Sequence, residues 1–89
     1  MIAKHLIFVG RVQGVGFRFT AYHIANRHKV TGFVRNLPDG TVEMLAQGNS
    51  QQVDDCIREI QDSFTGYVRD TRIEDVAADP QYGRFNITF

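Results

Sequence analysis

An α+β sandwich with the element order βαββαβ, closed by a short extra strand, is the fold this 89-residue chain predicts. Three observations carry that expectation. Short runs rich in Val, Ile and Phe alternate with two stretches of helical periodicity, Phe17 to His28 and Val53 to Phe64. A Pro38-Asp39-Gly40 turn joins two of the runs with no helix between them. One helix therefore falls on each side of a hairpin, which is the arrangement of two βαβ units.

Taken in order, Lys4 to Val12 is apolar and too short for a helix, so it reads as strand one. Gly10-Arg11-Val12-Gln13-Gly14-Val15-Gly16 follows, and its three glycines mark an unusual loop. Phe17, Ala21, Ile24 and His28 recur at helical spacing, with Ala25 beside them, and place helix one over Phe17 to His28. Thr31 to Asn36 is strand two. Thr41 to Gln47 is strand three, with Val42, Met44 and Ala46 on one face and Glu43, Leu45 and Gln47 on the other. Asn49 or Ser50 caps helix two, whose Val53, Cys56, Ile57, Ile60 and Phe64 form the clearest amphipathic stripe, and Gly66 suits its stop. Tyr67 to Val76 reads as strand four. Phe85 to Phe89 reads as a short fifth, with Phe85, Ile87 and Phe89 on one side. This order predicts a ferredoxin-like split βαβ sandwich, an antiparallel sheet with both helices on one face, in a single domain spanning residues 1–89.

Composition narrows the function. Ten basic residues balance ten acidic ones, so no global field draws in nucleic acid or an anionic membrane, and neither is expected as a partner. Affinity for an anion must come from a local pocket. The single cysteine, Cys56, rules out an intrachain disulfide and argues for a reducing compartment. Leu6 to Val9 is too short an apolar run for a signal peptide or membrane span, so a cytoplasmic monomer is expected.

The topology places chemistry at one edge of the sheet. A helical crossover makes strands one and two parallel, with strand three between them, so their C-terminal ends lie about 10 Å apart on one edge. The glycine-rich loop leaves strand one there and enters helix one. Its glycines allow consecutive N–H groups to point into one concavity, and the helix N-terminus adds free amides and partial positive charge. Arg18 lies in the first turn, where its side chain leans back over the loop and can clamp a phosphate through two bonds. Asn36 closes strand two on the same edge, and its carboxamide offers a donor and an acceptor suited to orienting a water molecule.

Other chemistries lack their residues. No Gly-Lys-Ser or Gly-Lys-Thr completes a Walker A loop, and Gly14-Val15-Gly16 is followed by Phe17-Arg18-Phe19 rather than the dinucleotide pattern. His5, His23 and His28 fall on different elements without metal-ligand spacing, so no metal site and no cofactor are expected. Cys56 sits on the apolar stripe of helix two as a buried, inert thiol. An RNA-binding module shares the element order, and Leu6-Ile7-Phe8-Val9-Gly10 superficially resembles its strand-one motif. Such modules carry aromatics on strand three, however, and Thr41 to Gln47 has none.

The run Gly10-Arg11-Val12-Gln13-Gly14-Val15-Gly16-Phe17-Arg18 resembles the acylphosphatase signature throughout. Gly32-Phe33-Val34-Arg35-Asn36 with Asp39-Gly40-Thr41-Val42-Glu43 resembles that family's second block, Phe33 standing where an aromatic, often Trp, is usual. The likeness extends to Arg72-Ile73 and the aromatic C-terminus. It implies metal-independent hydrolysis of an acyl phosphate to a carboxylate and inorganic phosphate. The phosphate would lie in the backbone cradle of Gln13, Gly14, Val15, Gly16, Phe17 and Arg18, with Arg18 on its oxygens and Asn36 positioning the attacking water. The terminus adds the expectation that the Phe89 carboxylate pairs with Arg18. An accessory module of the same fold, serving maturation chemistry on carbamoyl phosphate inside a larger protein, is the alternative. With no further domain after Phe89, a free-standing enzyme is favoured.

Overall fold

Local periodicity becomes tertiary structure because each element has one stripe or face to bury. The computed structural model describes residues 1–89. Its elements are β1 (Ile2–Gly10), α1 (Phe17–Arg27), β2 (Thr31–Asn36), β3 (Val42–Gly48), α2 (Ser50–Ser63), β4 (Val68–Val76) and β5 (Phe85–Ile87). The expected order holds, with ends shifted by a residue or two. Val12 has left the sheet and is buried in its own right, at 1% exposure. Asn49 is the α2 cap, its Oδ1 accepting from the Gln52 N–H at 2.8 Å.

The strands form one sheet in the order β4-β1-β3-β2-β5. β1 runs antiparallel to β3 and β4, and β2 runs antiparallel to β3. The expected all-antiparallel sheet is corrected at one edge: β5 pairs parallel to β2, Gly32 with Phe85 and Val34 with Ile87, so the sheet is mixed. The short fifth strand also ends at Ile87, and the Phe89 side chain does not join Phe85 in the core but stands 96% exposed.

Leu6 and Phe8 of β1, Val34 of β2, and Val42, Met44 and Ala46 of β3 meet Phe17, Ala21, Ile24 and Ala25 of α1 in the core. Val53, Cys56, Ile57 and Ile60 of α2 complete it. Both helices thus cover one sheet face. Burial pushes the Cys56 thiol up to about 12, with the nearby Glu59 carboxylate adding to the shift, so it stays protonated and unreactive at neutral pH.

The other face is closed by a strap. β4 and β5 lie on opposite edges, so residues 77–84 must cross the sheet, and they cross it opposite the helices. Gln47, 1% exposed on the central strand, pins them. Its Nε2 donates to the Asp79 carbonyl at 2.8 Å and the Tyr82 carbonyl at 3.5 Å, while its Oε1 accepts from the Asp79 N–H at 3.0 Å. The Tyr82 ring lies 5.7 Å from that of Phe33, whose cross-strand partner is Leu45. Both faces of β3 are therefore buried, although its sequence alternates. Gln47→Ala removes the pin and leaves a cavity beneath it, and it is expected to destabilise the fold by about 2–4 kcal/mol. A shift in the denaturation midpoint with faster amide exchange across 77–84 is the signature. An unchanged midpoint would remove the strap from the account.

The topology sets the site. Val42 is the register partner of both Phe8 and Asn36, so those two residues stand level on either side of β3. The loop after Gly10 and the end of β2 consequently share one edge. No helix is long and apolar enough to cross a membrane.

Candidate active site

The first strand leaves the sheet abruptly. The β1–β4 register shifts between Val9 and Gly10, and the Arg11 N–H then donates to the Tyr67 carbonyl at 2.9 Å. After buried Val12, the chain turns twice through the left-handed region, at Gly14 (φ 79°) and Gly16 (φ 78°). A Cβ at either position would meet nothing within 4 Å, so glycine is required by backbone conformation alone. Left-handed residues interleaved with ordinary ones turn successive N–H groups to one side. None of the N–H groups from Gln13 to Arg18 donates to a protein acceptor. Gly16 is the helix N-cap without a side-chain cap bond, and the first turn carries no acidic residue. The amides and the helix-terminal partial charge are therefore uncompensated.

Phe17 anchors this arrangement. Its side chain lies in the core, 4.8 Å from the Phe8 ring and 4.5 Å from that of Phe64 between centroids, while its amide belongs to the loop. Arg18 follows, half-buried and without an ion-pair partner in the protein. The expected Arg18–carboxylate contact at the terminus is replaced by another. The guanidinium carbon stands 5.2 Å from the centroid of the Phe89 ring, a cation–π contact. An aromatic face holds the guanidinium without neutralising it, whereas a carboxylate would cancel its charge.

Asn36 ends β2 with its Oδ1 buried and accepting no hydrogen bond. An unpartnered buried acceptor costs about 1–3 kcal/mol and calls for an explanation. Arg18 and Asn36 line one pocket of about 230 Å³ together with Val12, Gly14, Gly16, Phe17 and Phe19. The structure thus brings together the loop, the cation and the carboxamide that the sequence singled out. Larger concavities beside Gly66 and Arg69 are open, one of them edged by Gly10 and Arg11, and neither contains Arg18 or Asn36.

One participant was legible only in part. Gln13 was singled out for its backbone amide, but its side chain spans the site: Nε2 donates to both the Leu37 and the Thr41 carbonyls at 2.8 Å. Those carbonyls already accept the Gly40 and Leu37 N–H groups that tie the β2–β3 turn. Gln13 therefore fastens the loop to the turn that follows Asn36. Its partners lie 24 and 28 residues away, so no local signal could have revealed the contact.

The remaining ionisable groups lie elsewhere. On the strap side of the sheet, burial works against ionisation of Glu43, yet hydrogen bonds from His5 and Arg35 hold its carboxyl below the usual range. Glu59 joins Arg27 and His28 across the two helices. No group of three or more His, Cys, Asp or Glu side chains converges anywhere.

A ferredoxin-like sandwich whose first strand-to-helix loop offers unengaged amides at a helix N-terminus belongs to the class of small anion-binding α+β domains. The comparisons with known proteins narrow that class. The acylphosphatase profile matches residues 4–87. The chain is 39% identical over 90 residues to an acylphosphatase of Bacillus licheniformis, covering 100% of both chains. To that of Chlorobaculum tepidum it is 40% identical over 84 residues, 93% of this chain and 91% of the relative. The crystal structure of acylphosphatase from Bacillus subtilis superposes with a TM-score of 0.90 at 30% identity, covering 100% of each chain. The chain belongs to the acylphosphatase family, and its activity is the hydrolysis of acyl phosphates.

Proposed function

We propose that residues 1–89 act as one metal-independent catalytic unit, a cytoplasmic monomer. In it the Gln13–Arg18 amides and the Arg18 guanidinium hold the substrate phosphate, and Asn36 orients the water that attacks it. The single observation that carries this reading is the run of six N–H groups, Gln13 to Arg18, engaged by nothing in the protein, in a loop whose Gly14, Gly16 and Phe17 line the pocket of Arg18 and Asn36.

Little more is needed for this reaction. An acyl phosphate releases a carboxylate, a weak base at neutral pH, so the leaving group needs no strong general acid. Phosphoryl transfer through a loose transition state depends on positioning and on charge stabilisation. The amide cradle and Arg18 supply donors aimed at the equatorial phosphate oxygens, where charge is concentrated. The Asn36 carboxamide, which lines the same pocket, hydrogen-bonds the water and turns its oxygen toward phosphorus. The new bond joins water oxygen to phosphorus, and the bond to the acyl oxygen breaks. The departing carboxylate keeps that electron pair, and the water proton passes to a phosphate oxygen. A carboxamide is not a base, so no enzyme group need accept the proton.

Acetyl phosphate hydrolysis measured in excess chelator tests the reading. Full activity with chelator present and competitive inhibition by inorganic phosphate are expected. Activity lost on chelation and restored by a divalent cation would overturn the metal-independent mechanism. A further consequence concerns the Gln13 side chain. Gln13→Leu keeps the volume and removes both donors, freeing the cradle to drift against Asn36. Its kcat should fall by about tenfold, since displacements of an ångström or less are costly in catalysis. The loss in stability should be only about 1–2 kcal/mol, because both carbonyls retain a backbone donor. A kcat within twofold of wild type, by about the same reasoning, would leave Gln13 a purely structural tie.

A further inference from the structure

Arg18 walls two concavities. One is the pocket that holds the loop amides and Asn36. The other, about 130 Å³, is bounded by Arg18, Phe19, Ile87 and Phe89, and apart from the guanidinium its lining is entirely apolar. Phe19 bounds both, so the recesses adjoin along the first turn of α1.

The second recess is built from residues that ordinarily prefer the interior. Phe19 is 68% exposed and Phe89 96% exposed, and each forgoes about 1.5–3 kcal/mol of burial where it stands. They arrive from distant parts of the chain, one on α1 and one just beyond β5, and converge on the same guanidinium. The Phe89 ring packs 5.2 Å from the Arg18 carbon. Of the other large exposed apolar side chains, Tyr67 and Ile73 lie on or beside β4, at the opposite edge of the sheet from β5, while Met1 precedes β1 and Val15 stands in the glycine-rich loop.

An acyl phosphate has two unlike ends, a charged phosphate and an acyl group whose far part is hydrocarbon. The two adjoining recesses match those ends in sequence, polar then apolar, with Arg18 between them. Resting on the phosphate assignment above, we propose that the Phe19–Ile87–Phe89 recess takes the hydrocarbon part of the acyl group. The chain is then selective for aromatic or branched-chain acyl phosphates over acetyl phosphate. A ring-sized group fills the recess and covers both phenylalanines, whereas an acetyl methyl leaves them wet. The phosphate cradle sets what is cleaved, and the recess sets which acyl group is favoured.

The test is a comparison of kcat/KM for benzoyl phosphate and acetyl phosphate. Wild type should favour the benzoyl compound by about tenfold or more, as several buried carbons in an apolar site allow. Phe19→Ala and Phe89→Ala should each reduce that ratio severalfold. Using the ratio cancels any effect that loss of the Phe89 ring has on Arg18, which acts on both substrates alike. Ile73→Ala, an exposed apolar deletion on β4, should leave the ratio as in wild type. Equal kcat/KM for the two substrates in wild type, or a ratio unmoved in both phenylalanine variants, overturns the recess assignment. Neither result touches the cradle. The cradle fails separately if Arg18→Ala hydrolyses both substrates as well as wild type.

Discussion

Arg18→Ala is expected to lower kcat/KM for acyl phosphates by about 10³-fold, the scale found for a transition-state arginine or a lost oxyanion donor. The physical case rests on what the guanidinium does not do. It forms no ion pair in the protein, and its only described partner is the Phe89 ring. Its charge is therefore fully available to the phosphate. The α1 N-terminus and the loop amides remain in the variant, so residual catalysis above the solution rate should persist. Alanine is at least as good a helix former as arginine, and no salt bridge is lost, so the thermal midpoint should stay close to wild type. Arg18→Lys should recover only part of the activity, because a point charge replaces a fork that can bind two oxygens at once. The inhibition constant for inorganic phosphate should rise in both variants. A loss below about tenfold in Arg18→Ala would mean that the amides alone carry the stabilisation.

Asn36→Ala should separate activity from stability. Its kcat is expected to fall by about 10²-fold, while KM changes little, because the carboxamide touches water rather than the phosphate. The thermal midpoint should hold or rise. Asn36 Oδ1 is buried without a partner, and removing it relieves a desolvation cost of about 1–3 kcal/mol that offsets the lost packing. Most truncations of half-buried residues destabilise, so a variant that is slow yet as stable as wild type would be distinctive. Parallel kinetics and thermal denaturation decide it. A clear drop in the midpoint would show that Asn36 is structural. Unchanged kcat would remove it from the water-orienting role.

Much of this site was readable in advance because it is built from local features. Gly14 and Gly16 announce positive φ at their own positions, and Arg18 follows Gly16 by a fixed helical offset. Asn36 precedes a Pro-Asp-Gly turn whose hairpin dictates where β2 must end. The level placement of Asn36 and Phe8 across Val42 then follows from topology, since strands joined by one helical crossover point the same way. The misreadings are of another kind. β5 was expected in an antiparallel sheet but lies parallel to β2, and three residues of alternating pattern do not specify a partner or a direction. The Phe89 carboxylate was expected on Arg18, and the ring is there instead. The alternation in β3 separated its two faces but did not say what covers the second, where Leu45 and Gln47 are buried by a strap that arrives from residues 77–84.

The amino-acid sequence alone determined the element order, the loop with its amide-presenting glycines, and the edge on which Arg18 and Asn36 meet. Those follow from torsional preferences and from periodicities that act over a few residues. Only the tertiary structure decided that Gln13 fastens the cradle to the hairpin, that Gln47 pins the strap, and that Phe19, Ile87 and Phe89 make an apolar recess beside Arg18. Such contacts join groups dozens of residues apart. Their formation depends on how the whole core closes, and no short stretch of chain carries that information.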